Sequence, residues 1–438
     1  MKIAILFSLF AATMAFPGLS TVQTWLASFQ QPILNLIDNP YRKSTIPQFI
    51  LDTQHPWILS NQRKLESLPN AEAFLCFDRN FDIQGKQVEG TEAELDIPPD
   101  LFENLTIDNN PGTFSRPGWP NALERLTEIN RCPLALARVK ALHVNIFVHH
   151  GEYADLWLKA LEPNQPSEQL LALFGDVLES MTGLNSIKGS IRTEDAHFFE
   201  ESFKARNLTL PTVTNLETGA LSRYLVGMCP NLERLETGSG YDWNGYSRDE
   251  PDWRVLFIQS AALVPGLRRF AMSGSYKGWD PELATEIVKA MPQIESLGLY
   301  GSVGSRLYTE DNDKFENILE ILASLKNLTH IDLPYSSSLA MGFDGGHWCG
   351  NAYEGKNGRE YGREVSRQFA ETTEKAGDMV MSNLPRLSSF EIGETPNITR
   401  AENGTVTLTW PWTGRIDEWT FEIWPEVDDF GEVWYDSM

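Results

Sequence analysis

Apolar and polar residues follow one recurring pattern along the middle of the chain. Residues 229–238 run apolar, proline, any residue, apolar, two polar residues and apolar, and residues 210–219 repeat this order. Such self-similarity is typical of a solenoid, in which each unit buries its apolar face against its neighbours. The pattern has seven copies and an eighth, degenerate one, which start at Met181, Leu210, Cys229, Val264, Met291, Leu325, Leu384 and, for the degenerate copy, Leu68.

An apolar stripe with the spacing of one helix face precedes most copies of the pattern. Before the copy at Met181, the stripe includes Leu170, Phe174 and Leu178, which recur at helical spacing. The proline found in most copies then ends the helix, because proline cannot donate a backbone hydrogen bond and disfavours helical geometry in the residue before it. Alternating apolar residues follow and predict a strand. Each unit is therefore predicted to be a helix, a break and a short strand.

The L-x-x-L-x-L spacing of these strands resembles that of leucine-rich repeat proteins. The likeness is to the helix-containing form found in ribonuclease-inhibitor-like folds, and above all to the irregular repeats of fungal F-box/leucine-rich-repeat proteins. It covers about residues 135–393. The resemblance implies an α/β fold, an irregular leucine-rich-repeat solenoid with a curved parallel sheet, and a fungal source. The chain departs from the family in its unequal repeat lengths and in lacking an F-box pattern before Leu68.

The repeats divide the chain into four predicted regions. Residues 1–15 are predicted to be a signal peptide, and residues 16–130 an N-terminal capping region with a short helix at 122–129 and an acidic surface loop at 92–108. Residues 131–396 hold the irregular repeats, with a first strand at 139–146 and a glycine-rich insertion at 334–363. Residues 397–438 are predicted to form a tryptophan-rich, acidic C-terminal β cap. Solenoids need such caps because their end units have no neighbour.

The predicted C-terminal cap has two strand signals. Asn403 and Gly404 tolerate positive φ and predict the turn of a hairpin over 398–410,. Residues 419–424 alternate for most of their length and predict another strand,. The tryptophans of this segment are interpreted as covering the last repeat, and a binding platform for a ligand is the alternative.

The N-terminal residues predict entry into the secretory pathway. Residues 1–15 combine one lysine, a short apolar run and small residues, which is the layout of a secretory signal peptide and is too short to span a membrane,. Sites of the form N-x-S/T for N-glycosylation follow. We therefore expect a secreted, extracellular glycoprotein with no membrane span, glycosylated at Asn104, Asn207, Asn327, Asn397 and Asn403.

Charge and cysteine content narrow the classes of partner. The formal net charge of −24 argues against nucleic acid as a partner, because binding to phosphates requires a basic surface,. Four cysteines, Cys76, Cys132, Cys229 and Cys349, allow two disulfides in three connectivities,. Cys76 and Cys229 fall on apolar positions of the pattern, so simple burial is an equal alternative. No clustered cysteines or histidines suggest a metal, and no cofactor is expected.

The predicted recognition surface comprises the concave side of the sheet and the loops after the strands. In a strand, the residues between the core positions face the open side, and here they are polar with mixed charge. The following loops are rich in glycine, tyrosine and tryptophan and are expected to stack along one edge. Aromatic faces beside amides and carboxylates suit sugars or exposed peptides. The candidate ligand-binding residues are Tyr241, Trp243, Tyr276, Trp279, Tyr300, Asp344, His347 and Trp348.

No catalytic residue is assigned, so the leading hypothesis is a secreted, non-enzymatic binding protein for a glycan or protein ligand. One alternative is an intracellular F-box/leucine-rich-repeat-like protein that recognises substrates. Another is a secreted hydrolase that uses carboxylates, with Asp344 and His347 as an acid–base pair. No nucleophile motif stands beside that pair, which favours binding over catalysis.

Overall fold

The computed structural model describes residues 103–108, 119–130, 136–147, 165–192, 196–219, 222–237, 252–274, 278–303 and 313–427. The predicted signal peptide, the degenerate copy at Leu68, and Cys76 and Cys132 lie outside these residues. Within them, strands and helices alternate along the chain. This arrangement is compatible with the leucine-rich-repeat solenoid that the sequence predicts.

A parallel sheet of nine strands forms the framework, and its strands are ordered as they are in the chain. Each strand pairs in parallel with the next. The strands are β1 (Asn104–Asp108), β2 (Ala141–Phe147), β3 (Ser186–Arg192), β4 (Asn215–Thr218), β5 (Arg234–Thr237), β6 (Arg269–Ser273), β7 (Ser296–Tyr300), β8 (His330–Leu333) and β9 (Ser389–Ile392).

In the described part of the chain, an α-helix lies between each of the first eight strands and the next strand. Apolar residues of these helices and of the strands form one continuous core cluster, so the helices cover one face of the sheet. The helices are α1 (Trp119–Asn130), α2 (Glu168–Ser180), α3 (Ala196–Ala205), α4 (Tyr224–Met228), α5 (Trp253–Ala261), α6 (Pro281–Ala290), α7 (Lys314–Leu322) and α8 (Gly355–Asn383).

The seven copies of the apolar pattern correspond to strands β3 to β9. Each strand starts at the same offset from its copy, as with Met181 and Ser186, or Leu384 and Ser389. Equivalent positions are also in register, so that Leu235 pairs with Phe270. The helix, break and strand predicted for these units are confirmed, because the apolar positions of every copy meet in the same core.

The sheet begins earlier than the sequence indicates. Residues 92–108 were expected to be an acidic surface loop, but Asn104–Asp108 forms β1 and pairs with β2. Leu105 and Ile107 are buried in the core. The prediction failed there because two alternating apolar residues are too few to distinguish a strand from a loop.

The C-terminal segment contains a hairpin and a helix. Strands β10 (Asn397–Arg400) and β11 (Val406–Thr409) pair antiparallel, as the turn residues predict, and Gly404 has a φ of +83°. The strand expected at 419–424 is wrong, because Ile416–Ile423 is a helix, α9. Asp417 and Glu418 lie in its first turn, where carboxylates stabilise a helix.

Tryptophans of the C-terminal segment pack against the last strand of the sheet. Trp410 lies with its ring centroid 6.1 Å from that of Phe390 of β9, and Trp412 stacks on Trp410 at 5.6 Å. Both indoles are buried. On α8, an added Cβ at Gly377 would lie 2.8 Å from the Trp410 ring, so glycine there allows the close approach. This segment thus covers part of the core at the β9 end.

The two described cysteines are both free thiols. Cys229 is fully buried between α4 and β5, and burial raises the pKa of its thiol to about 12. A neutral, enclosed thiol is unreactive. Cys229 is therefore a buried free thiol, which is the alternative to a disulfide that the sequence leaves open.

Candidate functional site

Among the described residues, no helix covers the other face of the sheet, and we call this face the open face. Its side chains alternate with the core residues of each strand. One row of register partners crosses it from β3 to β9. The row consists of Lys188, Glu217, Glu236, Ala271, Gly298, Asp332 and Glu391.

Small residues in the middle of this row make room for an aromatic ring. A Cβ added at Gly298 would lie 3.3 Å from both Cζ and Oη of Tyr300, so the phenol folds back over the glycine. Burial raises the pKa of the Tyr300 phenol, and the carboxylates of Glu236, Asp332 and Glu391 raise it further, while Arg234 lowers it. The residue as a whole is 41% exposed. It therefore presents one face to solvent among carboxylates.

A cleft of about 360 Å³ opens beside Tyr300 at the β9 end of the open face. Tyr300 and Tyr335 supply its aromatic lining, and Asp332 and Glu391 supply its charge. The rest of the lining is Gly301, Leu333, Pro334, Ser338 and Gly393. No lysine or arginine lines this cleft within the described part of the chain. We call it the tyrosine cleft.

Tyr335 is fixed against a glycine that follows β9. Gly393 has a φ of +69°, which favours glycine over other residues. A Cβ there would overlap the Tyr335 ring, so both the conformation and the contact require glycine. Tyr335 is nevertheless 60% exposed. The tyrosine cleft thus holds two exposed aromatic rings, each resting on a glycine.

A chain of hydrogen bonds crosses the strands at the edge of the cleft. His330 Nδ1 lies 2.6 Å from Ser389 Oγ, and His330 Nε2 lies 2.8 Å from Asp332 Oδ1. This chain holds the Asp332 carboxylate in place. It also brings a serine, a histidine and an aspartate together, but the backbone N–H of Ser389 is bonded to the Thr329 carbonyl. That N–H is therefore not available to stabilise an oxyanion.

The structure separates the candidate residues that the sequence groups together. Tyr241, Trp243 and Tyr276 lie outside the described residues. Trp279 was expected on the exposed strip, but its side chain is 0% exposed, and its Nε1 donates a 2.8 Å hydrogen bond to the Tyr300 carbonyl. Trp279 therefore has no surface for a ligand and supports the strand end that carries Tyr300.

Asp344, His347 and Trp348 lie in the insertion but do not line the tyrosine cleft. Asp344 accepts a hydrogen bond from the Gly346 N–H, and His347 Nδ1 accepts one from the Cys349 N–H. Each side chain thus accepts a hydrogen bond from a backbone N–H two residues later in its own turn. No hydrogen bond or ion pair between the two side chains is found in this described segment. Trp348 is 93% exposed and stacks on His347 at 6.2 Å. The insertion itself ends early, because α8 begins at Gly355.

Of the candidate residues, Tyr300 alone contributes to the tyrosine cleft among those the structure describes. Asp332 and Glu391 lie between core positions of their strands, where the alternating pattern predicts residues on the open side of the sheet,. Tyr335 is not among the residues predicted from the sequence, although it lies two residues after the end of β8 in one of the tyrosine-rich loops. Its position after Pro334 was the available signal.

Comparison with known proteins does not assign this chain to a family. The chain matches no protein-family model, and a search of curated proteins finds no relative. In the described segments, none of the helices combines the length and apolar character needed to cross a membrane.

Proposed function

We propose that this protein is a secreted, N-glycosylated, non-enzymatic binding protein of the leucine-rich-repeat kind, which recognises a protein or glycan ligand in the tyrosine cleft. The observation that carries the proposal is the pair of exposed tyrosine rings, each seated on a glycine, beside two carboxylates. Exposed aromatic rings with few rotatable bonds lose little entropy when a ligand covers them. A concave site with a few convergent polar groups is the usual form of a binding pocket.

The geometry of Ser389, His330 and Asp332 favours a binding function over hydrolysis. The three side chains are linked, but the backbone donor of Ser389 is already used in the sheet. A hydrolase gains most from donors aimed at the developing oxyanion. The hydrogen-bond chain is better explained as a support that fixes Asp332 in the cleft.

The cleft is tested by removing its aromatic rings. The protein would be screened on glycan and peptide arrays, and every ligand found would be measured again with Tyr300→Ala and Tyr335→Ala. We expect each variant to weaken binding by about tenfold or more, because an aromatic anchor typically contributes over 1 kcal/mol. Leu263→Ala is the control, since Leu263 is also exposed but does not line the cleft. Equal binding by the wild type and both tyrosine variants would refute the cleft as the ligand site.

Secretion is supported by the N-terminal pattern and by the exposure of the glycosylation sites. All five sequon asparagines are exposed, as glycan attachment requires. We expect the native protein to begin near Phe16 and to lose mass on enzymatic deglycosylation, measured by intact-mass and N-terminal sequencing. An intact Met1 without glycan would favour the intracellular, F-box-like alternative.

A further inference from the structure

We propose that the tyrosine cleft receives an arginine or lysine side chain of a protein partner, held between Asp332 and Glu391. This inference rests on the proposed function and assigns its ligand. The two carboxylates and the two tyrosine rings define the class of group that fits. A neutral glycan is the competing ligand and is an outcome of the test.

The first argument is a like-charge pair in the sheet. Asp332 and Glu391 are register partners on β8 and β9, so their carboxylates stand side by side on the open face. Directly opposed like charges destabilise a sheet. Asp332 is held by His330, whereas Glu391 is exposed and the described residues offer it no ion pair. A cation placed between the carboxylates would relieve this repulsion.

A second acidic pair in the same row shows the contrast. Glu217 and Glu236 are also register partners. There the sheet supplies its own cations, because Lys188 Nζ lies 2.9 Å from Glu217 and Arg234 Nε lies 2.8 Å from Glu236. The open face thus neutralises one acidic pair internally and leaves the other without a lysine or arginine from the described residues. Local rules of stability are most often broken at functional sites.

The tyrosine rings suit the same ligand. A cation is attracted to the face of an aromatic ring, and arginine in particular stacks flat on it. Tyr300 and Tyr335 are both exposed and line the same cleft as the acidic pair. Arginine carries five donors in a rigid fork that matches carboxylates. A neutral sugar would use the rings but would gain nothing from the negative field.

The charge of the whole chain acts in the same direction. A formal net charge of −24 attracts basic partners over a distance and accelerates their association at low ionic strength,. We therefore expect binding in the cleft to weaken as salt is added.

The probes for this proposal are N-acetyl-arginine amide and its neutral isostere N-acetyl-citrulline amide. Their binding to the full chain would be followed by saturation-transfer NMR and titration calorimetry. We expect the arginine probe to bind at least tenfold more tightly than the citrulline probe, and its affinity to fall between 20 and 300 mM salt. Failure of the arginine probe to bind, or equal binding of both probes, would overturn the proposal.

Matched substitutions then locate the charge. Glu391→Gln should remove most of the preference for arginine, while Glu233→Gln should keep it, because Glu233 is exposed but lies outside the cleft. Both changes remove the same charge from the chain. The unfolding midpoint of Glu391→Gln should be equal to or above that of the wild type, since repulsion is lost. A lowered midpoint would show that Glu391 stabilises the fold and would contradict the repulsion argument.

The tyrosine variants separate this proposal from the proposed function. If Tyr335→Ala weakens ligands found on the arrays while Glu391→Gln does not, the cleft binds and the cation assignment is wrong. If neither variant affects any ligand, both the cleft and the assignment are refuted. If both variants weaken basic ligands, the cation assignment is supported.

Discussion

Replacing Trp279 with alanine is expected to reduce the free energy of unfolding by about 3–5 kcal/mol, the usual loss when a buried tryptophan is truncated. The side chain is 0% exposed and among the largest fully buried residues of the described core. The substitution also removes the indole donor to the Tyr300 carbonyl, which then keeps, among the described residues, only its hydrogen bond from the Gly274 N–H. Tyr300 should therefore lose part of its support along with the core.

Urea unfolding followed by circular dichroism measures this effect. Trp348→Ala is the matched control, because Trp348 is 93% exposed and surface substitutions usually change stability by less than about 0.5 kcal/mol. If the Trp279 variant were as stable as this control, Trp279 would not be buried in solution. It would then return as a candidate ligand contact.

The Gly189→Ala variant is expected to lose about 3 kcal/mol or more, or to fail to fold. Gly189 lies in β3 as the register partner of Val144 in β2. Its φ is +109°, and an added Cβ would overlap the Val144 carbonyl oxygen. The obstacle is backbone, which cannot turn aside as a side chain can. The two strands would have to separate at this position.

The Gly227→Ala variant makes the same chemical change, but it is expected to raise the free energy of unfolding. Gly227 lies in the short helix α4, and a Cβ there would meet nothing within 4 Å. Alanine in a helix is about 0.5–1 kcal/mol more favourable than glycine. Both variants would be compared by chemical denaturation. Equal stability of the two would refute the close approach of β2 and β3.

The repeating pattern predicted most of the sheet because each copy carries its own core residues. Strands with fewer such residues depend on their partners. Asn104–Asp108 has two core residues, and its identity as a strand comes from pairing with β2, since strand preference depends on context. The strand predicted at residues 419–424 is wrong for a related reason, because a short alternating run does not distinguish a strand from a helix,.

The site could be predicted in part. The alternating pattern predicts that residues between core positions, among them Asp332 and Glu391, face the open side of the sheet, and the order of the copies indicates that their strands are neighbours,. The tyrosine cleft depends on more than alternation, because Tyr335 and Gly393 follow their strands and meet only through the fold. Trp279 shows the converse. It lies in a segment whose sequence resembles a loop, but it is buried and donates a hydrogen bond to the end of β7.

The spacing of the strands limits how the open face could read a partner. Parallel strands stand about 4.8 Å apart, whereas side chains on one side of an extended peptide recur about every 6.8 Å. In a peptide that crosses from β7 to β9, the side chains after the first anchored residue therefore do not match the spacing of the strands. Partners of this face would share one protruding side chain and the shape around it, with no common linear sequence. A search for them by consensus motif would fail where a search by surface geometry would succeed.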